Sequence, residues 1–162
     1  MRAFAGRVHE DSAFTMQLEV IDIGSMDIYG SYRALFQPPK FRYKGLDIAP
    51  GKNVDIVADD PYHYKCFDNM YDIVVSGSCL EHVEDIYAWA DEAIRILKPN
   101  GLMAIVVPCK WDEHRYPLDC WRFYPDGLRW LFVKRTGMLQ EVKLAHDGKQ
   151  CMGVFRKASS DN

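Results

Sequence analysis

The stretch from residue 71 to residue 108 restricts the fold more than any other part of the chain. It opens with YDIVVS (residues 71–76), a continuous apolar run of the kind that lies mid-sheet with both faces covered. A helical stretch follows over about residues 84–97, where Ile86, Trp89, Ala90, Ala93, Ile94 and Leu97 recur at helical spacing. Acidic residues at its start suit the positive end of the helix dipole. Pro99 and Gly101 end it, and LMAIVV (residues 102–107), closed by Pro108, is a second buried strand. Two parallel neighbours need a crossover of this kind, so the chain is α/β.

The same alternation extends to both sides. EVIDI (residues 19–23) is a first strand ending at Gly24, and a short helix through residues 29–36 stops at Pro38 and Pro39. YKGLD (residues 43–47) is a second strand. A third, residues 54–58, follows a very short link containing Pro50 and Gly51. Beyond Pro125 a further helix over about residues 126–135 ends near Gly137. The last two runs, residues 140–145 and 150–156, flank Asp147-Gly148, a strong hairpin signal that makes this pair antiparallel. The expectation is a Rossmann-like α/β fold. Its seven-stranded, mostly parallel sheet would end in an antiparallel hairpin and carry helices on both faces, with a reduced helix between strands two and three. A chain of 162 residues accommodates one such core, here residues 1–158 followed by a polar tail, 159–162.

Charge and cysteine usage narrow the function. A net charge of −3 offers no broad basic field for a phosphate backbone, so nucleic acid is not the expected partner. The five cysteines, Cys66, Cys79, Cys109, Cys120 and Cys151, show no C-x-x-C spacing and read as reduced thiols. His63, His82 and His114 are equally dispersed, and no metal is needed to explain them. Residues 1–17 lack the apolar core of a signal peptide, and no apolar run is long enough to cross a bilayer. A soluble cytoplasmic protein is the expectation.

Open parallel sheets bind ligands at the carboxyl ends of their strands, beside the point where strand order reverses. Here strand one ends in Asp22-Ile23-Gly24-Ser25, strand two in Asp47, and strand three in Asp59-Asp60. An acid about 20 residues beyond a glycine turn can accept both hydrogen bonds of a ribose diol. The turn itself departs from a pyrophosphate-binding pattern, because Met26 is bulky and Asp27 would repel an anion. A ligand with ribose and base but no phosphate suits it better than NAD or FAD. Asp59 and Asp60 could face a base amino group, or serve the Asp-Pro turn that follows.

These segments in order, VIDIGS, GLDIAP, YDIVVSGSCLEHVEDI and AIRILKPNGLMAIVVP, resemble class I S-adenosylmethionine-dependent methyltransferases. The likeness is nearest to the branch that holds many small-molecule and sugar methyltransferases. It implies S-adenosyl-L-methionine as cofactor, leaving as S-adenosyl-L-homocysteine. It implies that Asp22, Gly24 and Ser25 form the loop at the methionine end, with Asp22 or Asp27 meeting the ammonium and amides near Gly24 the carboxylate. Asp47 would hold the ribose, Ile48 would pack on the adenine, and Asp59 or Asp60 would reach its amino group. Ser76, Gly77 and Ser78 would line the channel to the sulfonium, with the pair Glu81-His82 at its rim. Met26 in place of a second glycine, the missing helix before strand three and a short N-terminal segment depart from the family pattern. A neighbouring subunit, in a homodimer, could complete the lid.

After strand five comes HRYPLDCWRFYPDGLRWL (residues 114–131), rich in aromatic and polar groups. The resemblance places acceptor contacts here, with Tyr116, Trp121 and Arg122 as candidates. The function expected is methyl transfer to the O or N of a small acceptor, a sugar or natural product among them. A degenerate binding module that holds the nucleoside without turnover is the alternative. For a hydroxyl acceptor a general base contributes about 10²–10⁴-fold, and His114, His82 and Asp119 are the candidates. Against these stand plainer roles: His82 capping the following helix, His114 on the surface, Trp130 and Phe132 in the core.

Overall fold

The computed structural model describes residues 1–10 and 16–159; residues 160–162 of the expected tail lie outside the described residues. Seven strands, β1 (Leu18–Ile23), β2 (Phe41–Asp47), β3 (Ile56–Val57), β4 (Tyr71–Gly77), β5 (Leu97–Pro108), β6 (Leu139–His146) and β7 (Gln150–Lys157), form one sheet. Their order is β3-β2-β1-β4-β5-β7-β6. The first five are parallel, and β7 runs antiparallel between β5 and β6. Strand order reverses between β1 and β4, which sets the switch point there.

Side chains alternate across a strand, and the sheet therefore builds two cores. Ile21, Ile23, Val74, Met103 and Ile105 face one way, under α2 (Ile86–Ile96) and α3 (Pro125–Arg129). Val20, Ile73, Val75, Leu102 and Ala104 face the other way, where Phe4, Ala5 and Val8 of α1 (Arg2–Glu10) join Phe36 and Phe41. Helices thus cover both faces. In α2, Trp89, Ala90, Ala93 and Ile94 are all buried, as their spacing requires. Its first turn holds no acidic residue, contrary to expectation. Asp85 instead caps it, Oδ1 accepting from the amides of Tyr87 and Ala88 at 3.0 Å each.

Other differences lie where local pattern is weakest. β3 contracts to two residues, and a 3-10 turn, Arg33–Leu35, stands where a helix was expected between β1 and β2. No helix lies between β2 and β3, matching the short link. The helix expected over residues 126–135 is α3 continued by a more loosely wound turn, Trp130–Lys134. Phe132 is fully buried there, while Trp130 is half exposed against Tyr87 and is not core. The hairpin turn forms as predicted: Gly148 has φ +89°, and Asp147 Oδ1 accepts from the amides of Lys149 and Gln150. Among the described residues no helix is long and apolar enough to cross a membrane.

Candidate active site

A cleft of about 1190 Å³ opens over the carboxyl ends of β1, β2 and β4. Small-molecule pockets usually span about 300–1,000 Å³, so donor and acceptor can share this one. Asp22, Gly24, Ser25, Asp47, Ile48, Gly77, Ser78, His82, His114 and Tyr116 line it. Met1, and Arg2 at the start of α1, line it too.

The turn after β1 is closed by packing. Gly24 has φ +75°, and a Cβ there would sit 2.4 Å from both Cβ and Sγ of Cys79. The amides of Gly24 and Ser25 donate to the Leu46 carbonyl at 2.8 and 3.1 Å, and the Asp27 amide donates to Lys52 at 3.0 Å. These amides are engaged within the protein, so they do not form the carboxylate cradle expected near Gly24. Asp27 pairs with Lys52 at 2.7 Å and accepts from the Gly30 amide at 2.8 Å. It is not among the residues lining the cleft.

Asp22 is the acid that faces inward. It is buried, its Oδ2 accepts from the Tyr43 hydroxyl, and burial pushes its carboxyl up to about 7. Asp47 stands at the end of the next strand. Its Oδ2 accepts from the Met26 amide at 2.9 Å and its Oδ1 from the Ile48 amide at 2.8 Å. Each carboxylate oxygen has roughly two acceptor directions, so each can accept a further hydrogen bond. Ile48 is half exposed on the cleft wall.

The remaining predicted residues divide. Gly77 approaches Tyr32 so closely that a Cβ would lie 2.1 Å from its hydroxyl. Ser78, at φ +52°, turns the chain into the cleft. Ser76 is buried and donates to the Ile23 carbonyl at 2.7 Å, tying β4 to β1 rather than facing a ligand. Asp59 makes a surface ion pair with Lys65, and Asp60 Oδ1 accepts from the Tyr62 amide at 2.7 Å. Neither lines the cleft.

Beyond β4 the chain forms a 3-10 turn, Leu80–His82. The loop after β5 folds back on it. The amides of Cys120 and Trp121 donate to the Glu81 carbonyl at 2.7 and 3.2 Å, and Trp121 Nε1 donates to Val83 at 2.7 Å. Trp121 is therefore a peg for this loop and is not among the lining residues. Arg122 is a clamp: it grips both oxygens of Asp119 at 2.5 and 2.8 Å and reaches the Asp112 carbonyl at 3.1 Å. That pairing holds the Asp119 carboxyl well below the usual carboxylate range, which unsuits it as a base. Asp119 positions His114 instead, accepting from its amide at 2.7 Å.

The result is a cluster of four side chains. His82 and His114 meet edge to face with ring centroids 5.0 Å apart, and Tyr116 stands 5.9 Å from His82. Nε2 of each histidine lies 3.9 Å from Glu81 Oε1. Glu81 was anticipated only as part of a rim motif. It is 0% exposed, neither of its carboxylate oxygens has a hydrogen-bond partner, and burial raises its carboxyl to about 7. Tyr32 was not anticipated. It lies on the cleft wall, where burial pushes its hydroxyl up to about 12.

An open α/β sheet with acids on adjacent strand ends and a tight glycine turn at its switch point defines the class I methyltransferase fold. The methyltransferase-domain profile matches residues 7–141, and the chain belongs to that family, whose methyl donor is S-adenosylmethionine. The chain is 26% identical over 114 residues to the 2-methyl-6-phytyl-1,4-hydroquinone methyltransferase of Synechocystis, covering 63% of this chain. It is 37% identical over 68 residues, 40% of its length, to the Type II methyltransferase M.BamHI of Bacillus amyloliquefaciens. These matches span 36% and 15% of the two relatives. The Burkholderia thailandensis 1,6-didemethyltoxoflavin-N1-methyltransferase, crystallised with 1,6-didemethyltoxoflavin and S-adenosylhomocysteine, superimposes with a TM-score of 0.73. It is 16% identical, with 98% of this chain and 78% of that one covered.

Proposed function

We propose that the chain is a methyltransferase that moves the methyl group of S-adenosylmethionine to an oxygen or nitrogen of a small molecule. One observation carries the reading: a single cleft is lined both by acids and apolar faces at the strand ends and by a titratable cluster. Asp47 would receive the ribose diol, Ile48 the adenine, and Asp22 the methionine ammonium. When bound, the cofactor supplies an electrophilic methyl on a sulfonium. The protein's work is then to align the acceptor and exclude water, worth about 7–11 kcal/mol in favourable cases.

A hydroxyl acceptor must also lose its proton. His114 is the residue best placed to assist, because Asp119 and Arg122 hold its loop and the residue lines the cleft. The similar proteins include enzymes named for a phytyl-bearing hydroquinone and for 1,6-didemethyltoxoflavin, which favours a cyclic acceptor. The acidic balance of the chain disfavours a polyanion.

Calorimetry with S-adenosylmethionine and S-adenosylhomocysteine tests the first half, and release of S-adenosylhomocysteine across a panel of phenols, sugars and heterocyclic amines tests the second. Binding with turnover on one acceptor is expected. Binding without turnover on any of them favours a module that holds the nucleoside only. Failure to bind either compound overturns the proposal.

A further inference from the structure

We propose that Glu81, His82 and His114 bind one divalent transition cation at the acceptor end of the cleft. Their ligand atoms all lie within 4.8 Å of one another. A cation held at about 2.0–2.2 Å from each ligand would draw them to roughly 3–3.5 Å apart, a contraction of under about 1 Å for the two Glu81–histidine pairs at 3.9 Å and of up to about 1.8 Å for any pair as far apart as 4.8 Å.

The histidines are oriented for this task. His82 Nδ1 meets the Leu118 carbonyl, which can only accept, so the proton sits on Nδ1 and Nε2 carries the free lone pair. His114 Nδ1 lies 3.0 Å from the Asp112 carbonyl and 3.5 Å from Asp119 Oδ2, which frees its Nε2 in the same way. Metal-ligating imidazoles are held in this manner, by a carbonyl or carboxylate on the far nitrogen.

Glu81 is the second, independent observation. A carboxyl group with no exposure and no hydrogen-bond partner is costly, and a cation set between it and the two imidazoles is an occupant that would satisfy it. Two imidazoles with one carboxylate suit zinc, cobalt, iron or manganese better than magnesium or calcium, which prefer all-oxygen shells.

Three protein ligands leave further coordination positions open, and all three residues line the cleft. An acceptor hydroxyl bound there would lose its proton to solvent more readily, its oxygen stabilised as the alkoxide or phenolate. The histidines would then act as ligands, and the cation would replace His114 as the activating group. The site itself rests only on the three side chains and is testable without any methyl donor.

The test uses the full chain, stripped with a chelator and titrated with Co²⁺ by visible absorption and with Zn²⁺ by calorimetry. One equivalent is expected, with coordination bands in the Co²⁺ spectrum and a raised melting temperature. Glu81→Gln and His114→Ala should each weaken binding by more than 100-fold, and Asp119→Asn by about 10–100-fold as an outer partner. His63→Ala, on an exposed residue elsewhere, should leave it unchanged. If Glu81→Gln fails to fold, His114→Ala decides alone, since that histidine sits on a loop and is partly exposed. Absence of stoichiometric binding at millimolar metal, or binding unaffected by His114→Ala, overturns the site. Neither result bears on whether S-adenosylmethionine binds.

Discussion

Replacing Gly24 with alanine probes the turn on which the cofactor end depends. Two costs add. A left-handed φ of +75° disfavours an L side chain by about 1–2 kcal/mol. The new methyl would also lie 2.4 Å from Cβ and Sγ of Cys79, and overpacking of this kind costs about 1–3 kcal/mol. The sum is about 2–5 kcal/mol. For a domain of this size each kcal/mol moves Tm by roughly 2–4 °C, so a fall of about 5–20 °C is expected by calorimetry or circular dichroism. The clash has an address, which sharpens the test. Adding Cys79→Ala should recover little, because the Cβ contact at 2.4 Å remains. Cys79→Gly removes both atoms and, in the Gly24→Ala background, should remove the overpacking part while the backbone part persists. Affinity for S-adenosylhomocysteine should fall in parallel with the distortion. A Gly24→Ala protein within 1 kcal/mol of the parent would refute the packing argument.

Asp22 should make nucleoside affinity pH-dependent. Its carboxyl is raised to about 7 by burial, opposed by the Tyr43 hydroxyl and pushed further by Asp47. A ligand ammonium favours the carboxylate, so affinity should rise as pH climbs from 6 to 8, by at most tenfold per unit, and Asp22→Asn should flatten the curve. Stability runs the other way. Between about pH 4 and 7 the folded state holds a proton on Asp22 that the unfolded chain has released, so this group's contribution falls as pH rises through that window; denaturation of wild type and Asp22→Asn at pH 4.5 and 7.5 reads the difference. Asp47→Ala removes acceptors for the Met26 and Ile48 amides and any ribose contact, and should weaken S-adenosylhomocysteine binding by at least tenfold in calorimetry. Arg122→Ala leaves the nearly buried Asp119 carboxylate without its counter-ion and should cost about 2–4 kcal/mol in a denaturant titration. Arg122→Ala with Asp119→Asn should restore most of that stability.

How far the sequence can be read differs between framework and site. The β4–α2–β5 unit was legible because Trp89, Ala90, Ala93 and Ile94 leave one helical stripe between two apolar runs, a pattern that only a covered parallel sheet satisfies. α1 escaped notice because Phe4, Ala5 and Val8 make a single short stripe whose partners, Phe36 and Phe41, lie far away in sequence. Asp47 and Gly24 could be named from strand ends and spacing. Asp59 could not be separated from a turn residue by the same means, and it lies in a surface ion pair. Trp121 and Arg122 looked like acceptor contacts because aromatic and cationic side chains suit polar ligands, yet their hydrogen bonds go to Val83 and Asp119.

The order of apolar runs and breakers determined the strand count, the parallel framework and the terminal hairpin, because periodicity is a local property that burial enforces residue by residue. The meeting of Glu81, His82 and His114 was decided only in three dimensions. Thirty-odd residues of helix, strand and loop separate His114 from the other two, and what closes that distance is a set of backbone hydrogen bonds from Cys120 and Trp121 to Glu81. Such bonds are open to any residue type but proline, so side-chain identity carries almost no trace of them, and the cluster they assemble becomes visible only once the chain has folded.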